Sequence, residues 1–120
     1  MTPAQKIKSE IADWCRGQGF KYFAIVAASK NGTTDCIIDD LYDAWYFEVK
    51  SENDKLSSLQ KHTIKTLNTN RERAFTVGSV AEVICILNRV SKAKITDNIK
   101  KPRVVIGSVD EFWKQYESHK

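Results

Sequence analysis

The sequence lacks any apolar run long enough to span a membrane, which argues against a helical membrane protein. No apolar segment follows the first six residues either, so we predict no secretory signal peptide. The three cysteines, Cys15, Cys36 and Cys85, are odd in number and widely spaced. This spacing fits neither a disulfide framework nor a zinc site. We therefore expect buried or half-buried thiols in a cytoplasmic protein.

The remaining composition is that of an ordinary globular protein with a small excess of positive charge. The chain has 120 residues, of which 42% are hydrophobic and 28% charged, and its formal net charge is +4. This length predicts a single domain, spanning residues 1–120, with one hydrophobic core. Mild basicity is compatible with Lys and Arg contacts to nucleic-acid phosphates, although many basic proteins bind no nucleic acid.

Apolar periodicity predicts helices that alternate with strands. Thr2 and Pro3 are typical of a helix start, and Ile7, Ile11 and Trp14 fall at the spacing of one buried helical stripe. Further along, the patterns predict a strand at 20–28, an Asn-Gly turn at 29–32, a helix to about residue 68, a strand at 74–77, a helix to residue 87 and a strand-helix unit at 104–112. We expect an α/β fold with a central mixed β-sheet flanked by helices.

Two segments of this pattern carry further expectations. The packed face of the helix that ends near residue 68 is predicted to consist of Leu56, Leu59, Thr63 and Leu67. Residues 88–102 are rich in Lys and Arg and weakly patterned. They are expected to form a basic linker, which is either a nucleic-acid contact or an ordinary solvated loop.

The most informative stretch is 35–60. In the predicted strand 44–50, alternation places Trp45, Phe47 and Val49 on one apolar face, and Tyr46, Glu48 and Lys50 on the other. The preceding strand, 34–38, folds back through a polar turn at 39–43. A register that pairs residue 37 with residue 46 sets Asp35 directly opposite Glu48.

Opposed residues in an antiparallel pair have Cβ atoms roughly 4.5–5.5 Å apart. Two carboxylates at that distance repel each other unless a cation lies between them or one carries a proton. A divalent cation with oxygen ligands is one solution, and Lys50 would then lie close enough to position a metal-activated water. In outline this is a phosphodiester-hydrolysing site. Two alternatives remain: Glu48 and Lys50 lie on a solvated face, or Asp35 belongs to an acidic turn with Asp39, Asp40 and Asp43.

Asp35, followed after twelve residues by Glu48-Val49-Lys50, resembles the D…ExK core of the PD-(D/E)XK nuclease superfamily. The continuation at 54–60, DKLSSLQ, is similar to the D-x-L-s-x-x-Q segment of its VRR-NUC family. The resemblance covers about residues 4–87. The chain departs from the family in one place, because the segment before Asp35 lacks the proline of the family's Gly-x-Pro-Asp pattern.

This resemblance implies a restriction-endonuclease-like fold and a stand-alone, phage-type endonuclease that depends on Mg²⁺ or Mn²⁺. Its expected substrate is branched or Holliday-junction-like DNA, and its expected state is a homodimer. The implied metal ligands are Asp35, Glu48, the main-chain carbonyl of Val49, and Glu10 on the first helix.

Lys50 would orient the nucleophile, and Gln60 would support the site. Lys30, Lys55 and Lys61 are candidate contacts to DNA. For Glu10 the alternative is a solvated side chain paired with Lys6. For the whole chain the alternatives are a nucleic-acid-binding module without catalytic activity and an interaction protein that uses the acidic strand pair as an interface.

Overall fold

The computed structural model describes residues 2–25, 34–51, 58–68 and 73–96. In these ranges the chain forms a small α/β domain with three helices and a four-stranded mixed sheet. The elements are α1 (Pro3–Gln18), β1 (Lys21–Ala24), β2 (Cys36–Asp39), β3 (Ala44–Val49), α2 (Ser58–Leu67), β4 (Ala74–Val77) and α3 (Val80–Val90). The predicted turn at 29–32 and the predicted strand-helix unit at 104–112 lie outside the described residues.

Helix α1 has the start that the sequence predicts. The Thr2 hydroxyl accepts a hydrogen bond from the Gln5 main-chain N–H, and the Gln5 side chain accepts one from the Thr2 N–H. This reciprocal pair satisfies donors that the first helical turn leaves without partners. Gly19 ends the helix with φ 78°, a left-handed conformation in which a side chain would be strained.

The sheet has the strand order β1-β2-β3-β4. The first two pairings are antiparallel and β3 pairs with β4 in parallel. Ile37 lies opposite Tyr46, which confirms the register predicted from the sequence. The connecting turn is shorter than predicted, because Asp39 is still paired with Ala44 at the end of the ladder.

Asp40 builds that turn. Its buried carboxylate accepts hydrogen bonds from the main-chain N–H groups of Tyr42 and Asp43 and from the indole N–H of Trp45. The hydroxyl of Ser91, which follows α3, donates to the same carboxylate. This network allows Leu41 to adopt φ 76°, a conformation that is uncommon for a residue with a side chain.

The hydrophobic core lies on one face of the sheet, under α1 and α3. Trp45, Phe47 and Val49 all point into it, as their alternation predicts. Cys15, Cys36 and Cys85 are buried thiols, and burial raises the pKa of Cys15 and of Cys36 to about 12. Helix α2 packs against β4 and lies on the opposite face.

Helix α3 begins at the predicted cap but is longer than predicted. The Ser79 hydroxyl accepts from the Glu82 N–H, and the Glu82 carboxylate accepts from the Gly78 N–H. The helix continues to Val90 rather than ending at residue 87, because apolar side chains fill its inner face to Leu87 and beyond. The first residues assigned to the basic linker therefore belong to this helix. No described helix is long and apolar enough to cross a membrane.

Candidate active site

Strand β3 presents Glu48 on the face opposite to the core. Its side chain is only 1% exposed, although a single carboxylate on a sheet surface would ordinarily be solvated. Lys50, directly after the strand, is also mostly covered, with 16% of its side chain exposed. The structure therefore excludes the interpretation of these two residues as an ordinary solvated face.

Asp35 lies just before β2 and is turned towards β3. Its Oδ2 accepts a hydrogen bond of 2.7 Å from the main-chain N–H of Val49. This bond extends the contact between the two strands by one residue beyond the ladder and fixes the direction of the carboxyl group. The acidic turn is a separate feature that depends on Asp40, so Asp35 does not belong to it. A role for the Val49 carbonyl as a metal ligand stays a prediction.

Glu48 has two polar partners on one of its oxygens. The Gln60 Nε2 donates to Glu48 Oε2 at 2.5 Å, and the Lys50 Nζ lies 3.2 Å from the same atom. Gln60 is itself buried, so an amide from α2 and an ammonium from the end of β3 converge on one carboxylate oxygen. The other oxygen, Oε1, is buried without a hydrogen-bond donor among the described residues.

These surroundings raise the pKa of Glu48 to about 7. Burial is the largest cause, because the ionised carboxylate loses its hydration. The negative charge of the neighbouring Asp35 raises the pKa further. Lys50 acts in the opposite direction and stabilises the ionised form. Asp35 and Glu48 are therefore brought together as the strand register predicts.

The structure does not bring Glu10 to this pair. Its side chain is exposed, and the α1 residue that reaches Asp35 is Lys8, whose Nζ lies 3.7 Å from Asp35 Oδ1. The buried residues of α1 are Ile11, Ala12 and Cys15. The predicted stripe of Ile7, Ile11 and Trp14 packs against the core, with Ile11 fully buried and the other two partly buried. Ala12 and Cys15 extend the buried face of the helix beyond this stripe.

Lys8 could have been found from the sequence if Cys15 had been counted as part of the buried stripe. Lys8 precedes Ile11, Ala12 and Cys15 by three, four and seven residues, which is the spacing of a single helical face. Glu10 does not have this spacing. The long Lys8 side chain extends from the end of the buried face to the site, while its head group stays partly in solvent.

Helix α2 is rotated relative to the prediction. Leu59 was expected in the packed face but is 51% exposed, whereas Gln60 is 3% exposed. The hydrogen bond from Gln60 to Glu48 fixes this rotation and turns the neighbouring Leu59 outwards. Lys61 is exposed on the same helix. Lys30 and Lys55, together with Leu56, lie outside the described residues.

The site combines two carboxyl groups with two ammonium groups: Lys8 lies beside Asp35, and Lys50 lies beside Glu48. Within the described ranges, no group of three or more His, Cys, Asp and Glu side chains could hold a metal ion. Two carboxylates are nevertheless compatible with Mg²⁺, which keeps several waters and is commonly held by one or two carboxylates together with substrate phosphates. The buried Oε1 of Glu48 fits this requirement, because a cation would satisfy an oxygen that has no donor among the described residues.

Comparisons with protein-family models, with curated proteins and with solved structures found no match to this chain. The resemblance to VRR-NUC nucleases therefore stays a prediction that depends on the residues quoted above.

Proposed function

We propose that this protein is a metal-dependent endonuclease that hydrolyses phosphodiester bonds in DNA, with a restriction-endonuclease-like arrangement of its sheet. The observation that carries the proposal is the pairing of a half-buried Asp35 with a buried Glu48. Glu48 Oε1 has no donor among the described residues, and its other oxygen faces Lys50. Burial beside a second carboxylate raises the pKa of Glu48, and carboxyl groups with pKa values shifted in this way are more frequent at functional sites.

In this proposal Asp35 and Glu48 hold one Mg²⁺ or Mn²⁺ ion through oxygens from neighbouring strands. Such an ion would supply Lewis-acid activation of water and of the scissile phosphate. The Val49 N–H and the Gln60 amide fix the two carboxyl groups, so that little reorganisation is needed when the ion binds. Glu10 is not included in the ligand set, because its side chain is exposed.

Lys50 is the proposed catalytic residue outside the ligand pair. Its ammonium is held beside Glu48 and is mostly covered by protein. There it would stabilise negative charge that develops on a phosphate bound at the carboxylate pair. A cation fixed in such a low-dielectric position stabilises a transition state more strongly than a solvated one. It would also orient the attacking water.

The proposed substrate is branched DNA, and the proposed working unit is a homodimer. One chain offers a single Asp35–Glu48 pair in its described part, so cutting two strands of a junction requires two copies. Lys61, which is exposed on α2 next to Gln60, is a proposed contact to the DNA backbone. Lys30 and Lys55 remain candidate contacts from the sequence alone.

A nucleic-acid-binding module without catalytic activity is the second candidate. It is favoured by one observation, which is that each carboxylate already has an ammonium partner: Lys8 for Asp35 and Lys50 for Glu48. In a purely structural cluster these ion pairs would balance the charge without any metal ion.

Cleavage of labelled four-way junctions, flaps, nicked duplexes and linear duplexes with Mg²⁺ or Mn²⁺ distinguishes the two candidates. The endonuclease proposal predicts metal-dependent cleavage that falls roughly 10²–10³-fold in Lys50→Ala, the loss typical when one electrostatic stabiliser of a transition state is removed. Lys21→Ala, which removes an exposed lysine on β1, is the matched control and should cleave like the wild type. Binding of these substrates without metal-dependent cleavage would favour the module, and equal activity in Lys50→Ala would remove Lys50 from the mechanism.

A further inference from the structure

The two oxygens of Asp35 have different partners. Oδ2 accepts from the Val49 main-chain N–H at 2.7 Å, which is a fixed contact of the backbone. Oδ1 faces the Lys8 ammonium at 3.7 Å, which is a side-chain contact from another element. About one third of the Lys8 side chain is exposed, and its four-carbon chain is flexible, so this partner can withdraw without any movement of the sheet.

A cation shared by Asp35 and Glu48 would need the oxygens that neither the Val49 main-chain N–H nor the Gln60 amide engages. On Glu48 that oxygen is Oε1, which is buried without a donor among the described residues. On Asp35 it is Oδ1, whose described partner is Lys8. An ammonium and a divalent cation repel each other strongly at ligand distances, so both cannot be close to Oδ1 at the same time.

We propose that Lys8 holds the place of the metal ion at Asp35 while the ion is absent, and that the ion displaces it on binding. Lys8 is then a positioning residue that keeps the Asp35 carboxyl group in place beside Glu48 in the metal-free protein. This inference rests on the proposed function, since it assumes that the carboxylate pair takes a divalent cation. It implies that α1 contributes a competing positive charge to the site, whereas the sequence resemblance predicts a carboxylate ligand from this helix.

The test is a titration of the whole protein with Mn²⁺, in which electron paramagnetic resonance measures the free ion. Lys8→Gln removes the competing charge but keeps a polar side chain, and its dissociation constant for Mn²⁺ should fall roughly threefold to fivefold, the range that a partly exposed ion pair contributes. Lys8→Arg keeps the charge and should bind like the wild type. Lys6→Gln, an equal charge change at an exposed position of α1, is the matched control and should also bind like the wild type.

The direction of the effect separates this role from a merely structural one. If Lys8 only supported the fold of the site, its removal would weaken Mn²⁺ binding, and that result would overturn the inference. Equal affinity in the wild type and Lys8→Gln would overturn it as well, while leaving the metal site of the proposed function in place. Absence of Mn²⁺ binding in all four proteins would overturn the metal site and, with it, the role of Lys8.

Discussion

Replacing Glu48 by Gln tests whether the carboxylate pair is as buried and as closely coupled as the structure describes. Glu48 has a pKa of about 7 in the folded protein, against 4.5 as its ordinary value. Because the folded state favours the protonated form, the raised pKa means that protonation of Glu48 stabilises the folded protein. This stabilisation is fully present below pH 4.5 and is lost as the pH rises through 7. Each unit of pKa difference corresponds to 1.36 kcal/mol, so the total loss is about 3 kcal/mol.

The Gln variant has no carboxyl group to ionise at this position, and the Gln60 amide can turn its oxygen towards the new side chain. We therefore expect the unfolding free energy of Glu48→Gln minus that of the wild type to increase as the pH rises from 5 to 8, because only the wild type loses stability at this position. Most of the estimated 3 kcal/mol should appear in that interval, because the unfolded side chain is largely ionised by pH 5 while the folded one is not.

Urea denaturation at a series of pH values, without divalent cations, measures this difference. Glu10→Gln removes an exposed carboxylate and is the control, whose stability should run parallel to that of the wild type. A gap between wild type and Glu48→Gln that stays constant from pH 5 to pH 8 would refute the reasoning. It would mean that Glu48 ionises at no cost, and hence that it is not buried beside Asp35.

Three further predictions concern the scaffold. Asp40→Asn should destabilise the protein by about 1–3 kcal/mol in urea denaturation, because the amide cannot accept all the hydrogen bonds that the buried carboxylate accepts. Burial acts to raise the pKa of Asp40, but its hydrogen bonds outweigh burial and lower that pKa. The difference in stability between variant and wild type should therefore shrink as the pH falls below 3.8. Phe47→Ala, in the core, should lower the free energy of unfolding by about 3–5 kcal/mol in the same assay. Phe23→Ala, at an exposed position of β1, should change it by less than about 1 kcal/mol, and equal losses would contradict the described core. Ser79→Ala should cost about 0.5–2 kcal/mol in thermal or urea unfolding, since the Glu82 N–H loses its acceptor at the start of α3, and Ser79→Asp should retain most of the stability.

The sheet could be predicted from the sequence because its determinants are local. Strict alternation of Trp45, Phe47 and Val49 fixes which face of β3 is buried, and a shift of one residue would expose all three. The polar turn then leaves few registers for β2, and the pairing of Ile37 with Tyr46 follows. The position of Asp35 beside Glu48 is a direct consequence of this register.

The helix faces were predicted less well, because a helix can rotate by one residue and still bury apolar side chains. On α2 the polar contact between Gln60 and Glu48 decides the rotation and leaves Leu59 exposed. On α1, Cys15 belongs to the buried face, and this brings Lys8 rather than Glu10 towards Asp35. The contact that decides the rotation of α2 joins segments far apart in the chain, and periodicity within one helix does not contain it. The position of Lys8 follows from spacing within α1 once Cys15 is counted as buried.

The burial of Glu48 could not be predicted for a related reason. An alternating strand with Glu and Lys on one face is compatible with solvent on that face, and its burial involves the docking of α2, which a single strand does not contain. The Asn-Gly turn and the C-terminal strand-helix unit lie outside the described residues and stay predictions.

Calorimetric titration with Mn²⁺ measures whether Asp35 and Glu48 share one divalent cation, as the proposed function requires. Wild type and Asp13→Asn, which alters an exposed carboxylate of α1, should each bind one ion per chain at this site, whereas Asp35→Asn and Glu48→Gln should lose that binding. Equal binding by all four proteins, or no binding by the wild type, would contradict the proposed metal site.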